Sequence, residues 1–184
     1  MLFSKPNALV YIMRSGLLVA GKHIPQARLK FPPELVNNLE VSNRSELISL
    51  CQTFFEEHDF HNKRVLVVLD GSIIFRKNIK LDQAGEPNAL SEAFVAAMPL
   101  EEGRRACIAI KSDNLLQLIA TNSDLYTLIA EALHGCGIAK LVSITPAAAY
   151  DLSGVNKEFA SMVAFFFKGT PASKMTDFNN VKPL

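Results

Sequence analysis

The chain has 184 residues, 49% of them apolar, with 19 lysines and arginines against 18 aspartates and glutamates. That suffices for one ordinary domain with a buried core, and the near-neutral balance gives no electrostatic footing for nucleic acid or an anionic membrane surface. Cys51, Cys107 and Cys136 lie far apart; they suit neither a disulfide framework nor a zinc site and point to a reducing, cytoplasmic setting.

Residues 8–13 and 16–22 read as two strands around Ser15-Gly16, and 27–31 as a third that Pro32-Pro33 stops, together an N-terminal meander. The apolar run 8–20 is broken by Arg14, Ser15 and Gly16. It falls short of the roughly 20 residues of a spanning helix and is no signal peptide. From residue 42 to 60 the spacing predicts an amphipathic helix. Leu47, Leu50, Cys51, Phe54 and Phe55 share one face, Asn43 is the N-cap, and Glu46 stands three residues later. His58 and His61 close that helix without the further ligands a metal would need.

Residues 64–70 and 72–81 are strand-like on either side of Asp70-Gly71-Ser72. A strand ending this way could grip phosphate as in an actin-type ATPase, or turn a hairpin. A nucleotide site of that kind needs several glycine-rich turns, an acidic residue for the metal-bound water and a second lobe. Asp-Gly is a strong hairpin signal because both positions tolerate positive φ, so a hairpin is expected. A short helix, "NALSEAFVAAM", follows and ends at Met98-Pro99. Residues 104–110 and 114–121 then pair as a hairpin across Lys111-Ser112-Asp113.

A helix over 122–134 begins at Thr121 and Asp124, carries Leu125, Leu128, Ile129, Ala132 and Leu133 as its stripe, and stops at Gly135 and Gly137. Residues 138–145 form a further strand, and Pro146 opens a short helical stretch. A helix over 155–167 has the stripe Phe159, Met162, Val163 and Phe166; it covers apolar surface in the core or at a dimer contact. Residues 168–184 have no periodicity and read as an irregular or mobile tail, and deletion of 172–184 is expected to do little.

Chemistry is sparse. The chain has no Gly-x-Ser-x-Gly, Walker loop, Gly-x-Gly-x-x-Gly or His-Glu-x-x-His. The pairs Glu56-Glu57 and Glu101-Glu102 are adjacent in sequence and point apart on a helix. No catalytic residue, metal or cofactor is expected.

From residue 64 onward, the order of elements resembles the PilM family of cytoplasmic actin-like proteins of type IV pilus assembly. It is more distantly similar to the FtsA cell-division proteins and the cytoplasmic part of the GspL secretion proteins. The resemblance covers about residues 64–152. Asp70-Gly71-Ser72 stands for the family's Pro-Gly-Ser-like turn, Met98-Pro99-Leu100 for its Ile-Pro-Phe-like element, and Thr145, Pro146 and Ala149 for its Glu-Pro motif. The family's opening Asp-x-Gly phosphate turn would fall at Met13-Arg14-Ser15-Gly16, where the acid is absent and an arginine stands. The second lobe would begin after about residue 152, where one apolar helix and a tail follow instead.

The fold thus implied is α/β: a partial actin-like (ribonuclease H-like) lobe over 1–167 with an inserted strand-helix-strand-strand subdomain near 64–121. The implied function is a non-enzymatic cytoplasmic scaffold of a type IV pilus or related secretion platform, without nucleotide or other cofactor. It would reach the membrane only by binding the N-terminal segment of a PilN-like membrane protein, with Arg76, Phe94, Met98, Pro99 and Leu100 facing the peptide groove. Two other readings stay open: an actin-like ATPase subunit completed by oligomerisation, and a self-associating structural protein or homodimer.

Overall fold

A computed structural model describes residues 5–80, 86–112 and 114–147, together with Phe159, Val163, Phe167 and Phe178. Strands β1 (Ala8–Met13), β2 (Gly16–Gly21) and β3 (Ile24–Lys30) form the expected antiparallel meander. Two later strands, β6 (Arg64–Leu69) and β10 (Lys140–Pro146), join it parallel to β1, giving a five-stranded sheet of order β10-β6-β1-β2-β3. Parallel strands are normally buried on both faces, which is why "ALVYIM" and "RVLVVL" read as continuous apolar runs.

Alternation along these strands divides two cores. Val10, Ile12, Val67, Leu69 and Ile144 face helices α1 (Arg44–Glu57) and α3 (Ser123–Gly135). Those helices contribute Leu47, Cys51, Phe54 and Phe55, and Leu125, Leu128, Ile129, Ala132 and Leu133. Leu9, Tyr11, Ala20, Leu66 and Val68 face the opposite side, where Phe159, Val163 and Phe167 cover them. Those three are helical and spaced four apart, as a covering helix requires. Met162 and Phe166 of the predicted stripe lie outside the described residues, as does all but the first residue of the helix expected after Pro146.

Asn43 caps α1 as predicted: its Oδ1 accepts from the Glu46 N–H at 3.2 Å, and its amide donates back to the Glu46 carboxylate at 2.9 Å. The cap of α3 is Asn122, not Thr121. Asn122 Oδ1 accepts from the Asp124 N–H at 2.8 Å, while Thr121 Oγ1 donates to the Ile73 carbonyl at 2.6 Å. A small hairpin of β4 (Val36–Asn37) and β5 (Glu40–Val41) has no strand-length signal in the sequence; its turn residues Asn38 and Leu39 take φ of 49° and 73°.

The hairpin expected at Asp70-Gly71-Ser72 does not form. β6 lies inside the main sheet between β1 and β10, whereas the next strand, β7 (Ile74–Lys80), belongs to a separate three-stranded sheet of order β7-β9-β8. A 3-10 turn over Gly71–Ile73 joins the two sheets, started by the Asp70 side chain accepting from the Ser72 N–H at 2.7 Å. Gly71 does not take the positive φ that a two-residue hairpin turn of the Asp-Gly type needs. The inserted subdomain therefore begins at β7, not at residue 64. It runs through α2 (Pro87–Ala96) to the antiparallel pair β8 (Arg105–Ser112) and β9 (Leu115–Asn122), the second of which feeds directly into α3.

The tail also differs from expectation at its one described residue. Phe178 is 1% exposed, its ring packs at a 45° tilt against Tyr126 with centroids 5.8 Å apart, and its N–H donates to the Ile144 carbonyl at 2.8 Å.

Candidate functional site: strand ends and an inserted sheet

Two places in this fold could serve a ligand. The first is the carboxyl end of the parallel strands, where open α/β sheets commonly bind small molecules. Here the β1–β2 turn (Arg14, Ser15) meets the Asp70 turn. The Tyr11 hydroxyl donates to Asp70 Oδ2, the Ser72 N–H to Asp70 Oδ1, the Arg14 N–H to Ser72 Oγ at 3.2 Å, and Arg28 Nη2 to Ser15 Oγ at 3.4 Å. Partial burial raises the Asp70 pKa, but the hydrogen bonds from Ser72 and Tyr11 outweigh it and hold the carboxyl below its ordinary value. Burial, with the hydrogen bond to Asp70 and its charge, pushes the Tyr11 phenol well above its ordinary value. Both Asp70 oxygens are thus engaged within the protein.

Cysteine chemistry is equally quiet. Burial pushes the Cys51 thiol up to about 12 and Cys107 and Cys136 up to about 11, with the Glu56 charge adding to Cys136. Such thiols are not nucleophilic at neutral pH. Among the described residues, no three His, Cys, Asp or Glu side chains converge as metal ligands.

The second place is the inserted sheet. Phe75 of β7 packs with Ala120 and Cys107 against Phe94, Val95, Met98 and Leu100, forming a small core under α2. Arg76, the next residue, turns to the opposite face, paired with Ile119. On that face Ile74, Ile108 and Ile110 are partly exposed and pack towards the main core, and Gln117 Nε2 donates to Asn78 Oδ1 at 3.1 Å.

The five residues expected to face a peptide are therefore divided by the sheet. Arg76 is exposed on the face that also carries Ile108 and Ile110. Met98 and Leu100, 6% and 5% exposed, belong to the core behind it; Phe94 is half-buried there, and Pro99 is exposed between them. Ile119, which pairs with Arg76, and Ile108, Ile110 and Gln117, which share its face, are residues that sequence reasoning missed. The alternation of "ACIAI" marks a strand, but only the pairing with β9 tells which face each residue takes.

No family model matches the chain, and no curated protein does. Among solved structures, a chain of a PilM-PilN type IV pilus biogenesis complex aligns with a TM-score of 0.51 at 16% identity, over 80% of this chain and 49% of that one. The fold is a partial actin-like lobe. The cytoplasmic domain of EpsL, an inner membrane component of the type II secretion system of Vibrio cholerae, aligns at 0.49 and 10% identity, over 83% of this chain and 60% of that one. A Bacteroides thetaiotaomicron protein of actin-like ATPase fold and unknown function aligns at 0.42 and 15% identity, over 75% and 52%. The actin-like lobe described here spans about half the length of the chain from the PilM-PilN complex. None of its described helices is long and apolar enough to cross a membrane.

Proposed function

We propose that this lobe is a docking component of a type IV pilus or type II secretion assembly platform. It binds the cytoplasmic N-terminal segment of a PilN-like membrane protein at the inner face of the cell membrane and does not turn over nucleotide. The observation that carries this reading is the fold it has in common with a chain of the PilM-PilN complex. The absence of catalysis is supported by Arg14 at the phosphate turn and by the engagement of both Asp70 oxygens.

The peptide lies along the face of the inserted sheet that bears Arg76. The parts of Ile74, Ile108 and Ile110 that the main core leaves uncovered supply apolar contacts, while Arg76 and Gln117 fix its register, the division of labour by which short peptides are recognised. Met98 and Leu100 act from behind, holding Phe75 and hence β7 in place; Phe94 and Pro99 flank them on the α2 side.

Fluorescence anisotropy of a labelled N-terminal peptide from a PilN-like membrane protein of the same organism tests this. Saturable binding is expected, weakened at least about tenfold by Arg76→Glu, with the melting temperature unchanged because Arg76 is exposed. Met98→Ala should lower the melting temperature. No saturable binding, or full affinity in folded Arg76→Glu protein, would contradict the assignment.

A further inference from the structure

The β4–β5 hairpin turns on two residues with positive φ, Asn38 at 49° and Leu39 at 73°. A two-residue turn of this kind normally takes Asn-Gly, because only glycine enters the left-handed region at no steric cost. Here a leucine fills the glycine position. Such strain persists only where the surroundings fix it, and two things fix Leu39. Its side chain is buried in the main core, and its carbonyl accepts from Nδ2 of Asn122, 83 residues further on, at 2.9 Å.

Asn122 ends β9, is itself 2% exposed, and caps α3 by accepting from the Asp124 N–H through Oδ1 at 2.8 Å. Its neighbours grip the base of the inserted sheet on both sides. Thr121 Oγ1 donates to the Ile73 carbonyl just before β7, and the Ser123 N–H donates to the Arg104 carbonyl just before β8, at 2.8 Å. One amide side chain therefore ties together the inserted sheet, α3 and the β4–β5 hairpin. Another link from this junction to the main lobe, Asp124 Oδ1 to Arg44 Nη1 at 3.0 Å, ends on an arginine side chain 52% exposed, where water and salt screen it.

We propose that Asn122 is a positioning residue for the peptide seat: through the Leu39 carbonyl it holds the hairpin against the base of the inserted sheet and so fixes that sheet, with Arg76, relative to the main lobe. The face that bears Arg76 runs down to this base. Ile119, the partner of Arg76, and Thr121, two residues on, share it, and Ile119 lies in the same core as Val36, Leu39 and Val41 of the hairpin. A seat already held in its binding geometry loses less ordering entropy when the peptide arrives. The positioning role rests on the reading that a peptide docks on this face.

Asn122→Ser separates the two tasks of the side chain. Serine keeps a capping oxygen but lacks the second arm that carries Nδ2. The control is Asn43→Ser at the cap of α1, where the amide donor serves only Glu46. Hydrogen exchange read residue by residue should quicken over residues 36–41 in Asn122→Ser, with α3 still protected. Anisotropy should show its affinity for the PilN-like N-terminal peptide lowered about tenfold. Asn43→Ser should do neither, although both variants may differ from the parent in melting temperature; binding is compared where all are folded. Asn122→Asp, which keeps the cap and loses the donor when ionised, repeats the test if the serine variant does not fold. Unchanged exchange in the hairpin, unchanged affinity with the hairpin loosened, or equal weakening by Asn43→Ser would each overturn the positioning role and leave docking standing. A parent protein that binds no peptide would remove the docking reading and this proposal with it.

Discussion

Asp70 takes two tasks with one carboxylate: one oxygen starts the turn that carries the chain out of the main sheet, and the other receives the Tyr11 hydroxyl from β1. Its native pKa lies below its unfolded value. The stabilisation it gives is therefore present above the unfolded pKa, about 3.9, and is lost as the pH falls through the lowered native value. Asp70→Asn should be less stable than the parent at neutral pH, with the gap closing below about pH 4; urea titrations across that range check this, and a pH-independent gap would contradict it. Tyr11→Phe should cost about 1.5–3 kcal/mol at neutral pH, the range for a hydrogen bond to a charged group. Two glycines separate the turn chemistries. Gly71 lacks a positive φ and a Cβ there would meet nothing, so Gly71→Ala should be nearly neutral, whereas a hairpin turn of the expected type would make it costly. Gly16 has φ of 151° and a Cβ would fall 2.0 Å from the Leu29 carbonyl oxygen, so Gly16→Ala should markedly lower the melting temperature. The sequence around Asp70 could not distinguish these outcomes. An aspartate that accepts from the residue two positions on serves a 3-10 turn as well as a hairpin.

The elements that stand on periodicity and caps were legible. α1 follows from Asn43, Glu46 and the Leu47–Phe55 stripe, and the β8–β9 pair from its alternation and short turn. What local pattern leaves out is which sheet a strand enters. β6 looks the same whether its neighbour is β7 or β1, and only the parallel pairing with β1 and β10 decides it. The same gap hid the division between Arg76 and Met98, because which face a β7 side chain takes depends on pairing with β9. Phe178 was illegible for another reason: one aromatic in a polar stretch has no period to read. Its burial makes Phe178 structural, against the expectation that deleting 172–184 would do little. Phe178→Ala should cost about 3–5 kcal/mol, the range for emptying a buried phenylalanine site, and truncation before it should lower the melting temperature rather than leave it unchanged. Thermal melts of the two variants decide this.

At the scale of the whole molecule, the partial actin-like lobe puts two surfaces at different ends of its design. The strand ends around Arg14 and Asp70 are tied together by hydrogen bonds, and calorimetric titration with Mg-ATP is expected to give no heat of binding; a saturable isotherm would favour the ATPase reading. The inserted sheet instead has an exposed arginine, Arg76, on the same face as the partly exposed Ile74, Ile108 and Ile110, where the proposed peptide would lie. Hydrogen exchange read residue by residue, with and without the N-terminal peptide of the PilN-like partner, separates these surfaces in one measurement. The account predicts slowed exchange over Ile74–Lys80 and Arg105–Ser112, with residues 13–16 and 70–73 unchanged. Protection at residues 13–16 and 70–73 in place of the inserted sheet, or no protection anywhere, would contradict it.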